Sequence, residues 1–293
     1  MSARTLAERK ELTVHQSELL MAAVIIARST SFVISKLTVA AMSPFNILAV
    51  RFLSAFAILL FLFHRQMKRC TGKIFRNGVV LGIVYTFVMG FEMTGIQYAE
   101  TSLASLIENS AFVLVPILEI LFLHQFPKRS VTIGMVLAFC GLLILNFSPG
   151  VKINFGCIYL FAAMAFYALA IFLTAIFAKE GEPLLVGIVQ IGTMGVLSLV
   201  CSLLFEDFRI PSSGREWVMI LFLAVVCSVF GFTLQPVAQR GLEADRAGMF
   251  SVLNPLAAII WGNLILSEPI TPTKITGAVF IVVGILFPIL FKR

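Results

Sequence analysis

Apolar residues run through this chain in stretches of about 20, the length that carries one helix across a bilayer, and each stretch ends at a short polar break. The pattern predicts ten helices, near residues 18–40, 44–64, 76–97, 101–123, 130–147, 154–178, 183–205, 216–239, 246–267 and 271–291. The breaks carry turn-forming residues: Ser43-Pro44, Pro127, Ser148-Pro149-Gly150, Pro183, Pro211 and Pro269 with Pro272. A segment in lipid must satisfy its own backbone hydrogen bonds, so each run is expected to be helical. Every loop is short, which leaves no room for a separate soluble domain. The expected fold is an all-α membrane protein with ten transmembrane helices.

Composition supports this pattern. Of the 293 residues, 59% are apolar and 13% charged, and the mean hydropathy is +1.01. Ordinary soluble domains are about half apolar and about a quarter charged, so a soluble enzyme is excluded. The net charge of +7 does not indicate a nucleic-acid partner, because the basic residues sit in the loops on one side. With the N-terminus cytoplasmic, fifteen of the 22 Lys and Arg fall on the cytoplasmic side, four on the other, and Arg28, Lys36 and Arg51 inside helices. That bias predicts both termini in the cytoplasm and the inner membrane as the location. The basic run from Arg65 to Arg76 then anchors the topology at anionic headgroups. The N-terminal segment lacks the apolar core and small-residue cleavage site of a signal peptide, so the first crossing is expected to stay. The five scattered cysteines suggest neither a disulfide framework nor a zinc site.

A shift of 143 positions lays residues 100–143 over 243–286, pairing Glu100 with Glu243, Gly134 with Gly277 and Gly141 with Gly284. The aliphatic matches in this register carry little weight, but the glycines do. Gly134 with Gly141, and Gly277 with Gly284, each lie two turns apart on one helix face, a spacing that lets a neighbouring helix approach closely. Five helices repeated once start their second copy on the opposite side of the membrane. Two inverted five-helix repeats, 1–148 and 149–293, around a central cavity are therefore expected, the plan of many secondary transporters.

A charge at the bilayer centre costs at least about 2.5–3.5 kcal/mol, so each one needs a reason. Arg28 lies mid-way along helix one, with Ser31 and Ser35 on the same face. It is read either as an anchor for a substrate anion or as the structural partner of a buried glutamate. Glu108 and Glu119 share a face of helix four about 16 Å apart, with Asn109 beside the first. Glu108 is the candidate for a central site, holding a cationic substrate group or a coupling proton, or else an ion pair with Arg28. Glu119, nearer the cytoplasmic end, is expected to form a gate or interface pair with Lys128 or Arg129. Glu92 lies two turns beyond Tyr85 in helix three and at a depth similar to Arg51 in helix two, which suggests a structural Arg51–Glu92 pair or a cavity role for Glu92. Tyr167, Gln235, Asn254 and Trp261 are candidate lining, and Pro236 and Pro255 interrupt the hydrogen bonding of helices eight and nine.

No phosphate-binding loop, zinc-protease motif or hydrolase nucleophile motif occurs in the chain. No enzyme activity, metal or cofactor is expected.

The segment TSLASLIENSAFVLVPIL (101–118) resembles the fourth helix of the drug/metabolite transporter superfamily, EamA-like branch. LSEPITPTKITGAVFIVVG (266–284) is similar to the end of that family's ninth helix, its acidic turn and its tenth helix, and Arg51 matches an arginine common in its second helix. The resemblance spans the chain as two EamA-type halves. It departs from the family pattern at Gln125, where the second half has Glu268, and at the two glutamates within helix four. It implies an exporter or exchanger of small metabolites. The expected protein is thus a secondary transporter of a small polar organic metabolite, such as an amino acid or a related zwitterion or amine, working by alternating access. Its expected partners are that substrate, the lipid bilayer and protons, with no nucleic acid; a monomer or weak dimer is expected. The alternative is a membrane scaffold or channel-like protein whose buried charges form structural pairs.

Overall fold

The computed structural model describes residues 12–39, 41–98, 104, 107–146, 155–266 and 271–291. The break at Pro149-Gly150, Lys152, Glu268 and the basic residues at both extreme termini lie outside them. Among the described residues the chain is all helical, with no strand. In order, the helices are α1 (Val14–Val39), α2 (Pro44–Met67), α3 (Gly72–Tyr98), α4 (Ala111–Leu123), α5 (Arg129–Asn146), α6 (Gly156–Phe177), α7 (Pro183–Phe205), α8 (Gly214–Gln239), α9 (Ala244–Phe250), α10 (Leu253–Leu266) and α11 (Pro272–Leu290). Five of them (α2, α3, α6, α7 and α8) are long and apolar enough to cross a membrane. Pro44, Pro183 and Pro272 each open a helix, where a proline's missing N–H costs nothing and its fixed φ suits the first turn.

Contacts at the helix ends show that α2 runs opposite to α3 and α7. At one end of the bundle the start of α3 meets the α6–α7 turn: Asn77 donates to Glu180 at 2.9 Å and Lys73 pairs with it at 3.6 Å. There too Lys128, just before α5, pairs with Glu243 at 3.7 Å, and Glu18 of α1 forms a buried ion pair with Arg246 of α9. At the other end, Glu206 after α7 accepts from the backbone N–H groups of Phe45 and Asn46 at 3.0 and 2.9 Å.

The glycine pairs do what their spacing predicts. α5 and α11 run antiparallel with backbones touching, so that a methyl group added at Gly134 would sit 2.5 Å from the Gly284 carbonyl oxygen. One added at Gly141 would sit 2.7 Å from the Gly277 carbonyl oxygen.

Three expected continuous helices are interrupted. The predicted fourth helix tightens at Ser110, whose N–H bonds to Ile107 O at 3.1 Å while Val113 N–H bonds to Ser110 O at 3.0 Å. The predicted ninth helix breaks at Ser251 and Val252, where the bonds also span three residues, and becomes α9 and α10. Pro255 explains that break, because its ring clashes with the carbonyl four residues back, that of Ser251. The middle of α8, Leu223–Phe232, is a π-helix. Pro236 follows and can neither donate to Phe232 nor tolerate its carbonyl in the ordinary register. The hydroxyls nearby bond five residues back: Ser228 Oγ donates to Leu223 O at 3.2 Å and Thr233 Oγ1 to Ser228 O at 3.3 Å.

Candidate functional site

Arg28 reaches from the middle of α1 into a ring of neutral partners. Its guanidinium donates to Gln235 Oε1 at 2.5 Å, and Gln235 Nε2 donates to the Tyr85 hydroxyl at 2.8 Å. The guanidinium carbon lies 4.0 Å from the centroid of the Phe232 ring, 5.6 Å from that of Tyr167 and 6.0 Å from that of Tyr85. A desolvated cation–π contact contributes about 2 kcal/mol or more, so the aromatic faces offset part of the burial cost. Gly231 makes this approach possible, since a methyl group there would meet the Arg28 side chain at 2.6 Å.

Arg51, fully buried on α2, lies against the same aromatic ring. It donates through Nε to Ser228 Oγ at 2.9 Å and through Nη1 to Ser31 Oγ at 3.0 Å. Its guanidinium carbon is 5.0 Å from the Phe52 ring centroid and 5.9 Å from that of Phe232. The expected contact pair with Glu92 is not formed within 4.0 Å. Similar depth in the membrane brings the two into electrostatic range, but the Arg51 side chain turns toward α1 and the π segment of α8. Ser31 is therefore occupied by Arg51 and by its neighbour Ser35 at 3.4 Å.

The two carboxylates are left without such partners. Glu92 on α3 and Glu108 at the interruption before α4 are 4% and 2% exposed. Among the described residues, Glu92 Oε2 and Glu108 Oε2 have no hydrogen-bond partner. The two act electrostatically on each other and on Arg28, yet neither forms an ion pair with an arginine within 4.0 Å. Asn109 is buried beside Glu108, and Asn254 is buried next to the interruption between α9 and α10 with its Oδ1 unpartnered. Interrupted helices with polar groups at the break are a common construction of transporter sites, because the break frees backbone and side chains that a regular helix would occupy.

Two other candidates have definite partners. The Trp261 indole N–H donates to Ser29 Oγ at 3.0 Å, joining α10 to α1. Glu119 does not meet Lys128 or Arg129; Lys128 is engaged by Glu243. Its carboxylate instead faces the backbone N–H groups of Ala244 and Asp245, the first turn of α9. A helix N-terminus carries about half a positive charge, but Asp245 in that turn and Glu243 just before it offset this for a third carboxylate. No group of three His, Cys, Asp or Glu side chains suited to a metal ion occurs among the described residues.

Arg28, Tyr85, Tyr167 and Gln235, separate candidates in the sequence, come together in the structure. Ser228, Phe232 and the aromatic face of Phe52 join them without standing out in the sequence. The only signal for them was their position upstream of Pro236 or beside Arg51, in runs that otherwise read as packing.

Five apolar helices of spanning length, packed around buried ionisable groups, make this a multi-pass membrane protein. Its residues 16–147 and 154–290 each match the EamA-like transporter family. The chain belongs to that family, and accordingly it is a membrane transporter and not an enzyme. It is 26% identical over 264 residues to an uncharacterized transporter of Archaeoglobus fulgidus (strain ATCC 49558), covering 87% of this chain and 92% of the relative. It is 25% identical over 288 residues to the uncharacterized transporter YetK of Bacillus subtilis (strain 168), covering 93% and 86%. A solved crystal structure superposes with a TM-score of 0.78 over 95% of this chain and 98% of its own, at 16% identity, a likeness of fold alone.

Proposed function

We propose that the protein is a secondary-active carrier that exports or exchanges a small polar organic metabolite, such as an amino acid or a related zwitterion or amine, by alternating access. The proposed frame is ten crossings in two inverted five-helix repeats, 1–148 and 149–293, around a central cavity, with both termini in the cytoplasm and the inner membrane as its location. The observation that carries the reading is the cluster of Arg28, Arg51, Glu92 and Glu108. Four buried ionisable groups in electrostatic range without a contact ion pair make a poor structural lock, because no opposite charge in contact offsets their desolvation and, among the described residues, the two carboxylates each keep an unpartnered oxygen. They make a reasonable site for a ligand that supplies the missing contacts.

In this reading Glu108 and Glu92 line the binding site with Tyr85, Tyr167 and Gln235, and Arg28 and Arg51 shape its field. Asn109, Asn254 and Ser31 contribute polar lining, and Trp261 fixes α10 against α1. Glu108 is also the candidate carrier of a coupling proton. Glu119 belongs to a gate at the cytoplasmic end. Protein reconstituted in liposomes preloaded with a mixed pool of amino acids and amines is expected to accumulate a labelled member of that pool faster when the unlabelled one is present inside. A scaffold shows no such counterflow, so its absence across the pool overturns the carrier reading.

A further inference from the structure

Resting on the carrier reading, we propose that the ligand occupies the site as an organic cation, its ammonium group held by Glu108 and Glu92, and not as an anion on the arginines. The site's hydrogen-bonding capacity is distributed unevenly. Arg28 is engaged by Gln235 and by the faces of Phe232, Tyr167 and Tyr85. Arg51 is engaged by Ser228, Ser31 and the rings of Phe52 and Phe232. Among the described residues, neither arginine has a fully buried nitrogen without a partner, whereas Glu92 Oε2 and Glu108 Oε2 are both fully buried and unpartnered.

An unmet acceptor in a dry site calls for a donor. An ammonium brings up to three N–H donors and a compact positive charge, and an anion brings neither. A carboxylate ligand would have to displace Gln235 from Arg28, or Ser228 and Ser31 from Arg51, and then lie beside two glutamates of its own sign. The arginines are held by neutral groups and ring faces, which leaves the glutamates available. Tyr85 and Tyr167, whose ring centroids lie 6.5 Å apart beside Arg28, add further aromatic surface suited to a cation.

The test uses three compounds of one carbon length: butylammonium, butyrate and 4-aminobutyrate. Each is added to the purified full-length protein in detergent while thermal unfolding is followed, and each is offered as a competitor in the liposome counterflow assay. Butylammonium is expected to raise the unfolding temperature with saturation and to compete. Butyrate is expected to do neither, and 4-aminobutyrate to act more weakly than butylammonium. Glu108→Gln is expected to weaken the butylammonium effect at least tenfold, and Glu92→Gln to weaken it measurably in a protein that elutes as a single species. If butyrate or 4-aminobutyrate acts and butylammonium does not, the cation assignment fails while the carrier reading stands. If butylammonium acts equally on the wild type and on both glutamine variants, the assignment to these carboxylates fails. Absence of counterflow with any solute overturns the carrier reading itself.

Discussion

The Arg28 guanidinium and the Gln235 side chain, 207 residues apart in the chain, are joined by a buried hydrogen bond. A neutral amide thus holds a charge at the depth where a carboxylate would be the stronger partner. A hydrogen bond to a charged group contributes about 1.5–3 kcal/mol, and leaving the charge unsatisfied costs at least as much. Gln235→Leu is therefore expected to destabilise the protein by about 2–3 kcal/mol in reversible unfolding in mixed detergent micelles, and to abolish flux. Gln235→Glu supplies a contact carboxylate and is expected to keep or raise stability while slowing transport, because Arg28 is then locked. Flux at the wild-type rate in Gln235→Glu would separate Arg28 from the transport cycle.

The α5–α11 seam gives a second prediction. Its backbones touch at Gly134 and Gly284, and a methyl group at either position collides with the carbonyl of the other. The atoms in the way are backbone, so the helices must move apart. Gly134→Ala is expected to cost about 1–3 kcal/mol, the usual range for overpacking. Gly72→Ala at the start of α3, where nothing lies within 4 Å, is expected to be neutral or to gain up to about 1 kcal/mol from helix propensity. Equal effects of the two substitutions would mean that the seam is not tight in the membrane.

This seam was legible in the sequence because glycines two turns apart encode a face and a face encodes a contact. The runs of apolar residues gave the helices for a similar reason: membrane crossing fixes their length. Depth was legible as well, which is why Arg51 and Glu92 were expected to pair. Depth along a helix does not give the direction in which a long side chain turns, however. Arg51 turns to Ser31 and Ser228, and Glu119 turns away from Lys128 toward a helix end. The π segment was hidden because its cause, Pro236, reads locally as a kink and says nothing about a change of register upstream. Ser228 and Phe232 were invisible as site residues for that reason.

A third prediction concerns Glu18 and Arg246, an ion pair in which the glutamate side chain is 6% and the arginine side chain 15% exposed. The pair ties α1 to the start of α9. Removing one partner strands the other, which for a buried pair costs about 3–5 kcal/mol. Arg246→Met and Glu18→Met are each expected to destabilise by that order, and the double variant to be more stable than either single one. Additive losses in the double-mutant cycle, measured by unfolding in mixed micelles, would show that the two charges are independently solvated.

The last prediction joins the two ends of the bundle. Glu119 faces the first turn of α9 at one end, and Glu206 accepts from the first backbone N–H groups of α2 at the other. Each is a carboxylate from one half of the chain set against a helix start, where the helix dipole and N–H groups contribute about 0.3–1 kcal/mol, at the low end for Glu119, which shares its helix start with Asp245 and Glu243. If the bundle alternates between openings at its two ends, each contact favours closure of its own end. Weakening one by that amount shifts a two-state balance by about two- to fivefold. In a cysteine-free background, a cysteine at Ser17, which is buried at the Glu119 end, is expected to react with an impermeant maleimide about two- to fivefold faster when Glu119 is changed to Gln. Glu206→Gln is expected to leave that site unchanged or slower, and to speed labelling of a cysteine at Met42, buried at its own end. Parallel increases at both sites in either variant would mean general loosening, and the two carboxylates would then be ordinary helix-end contacts with no part in gating.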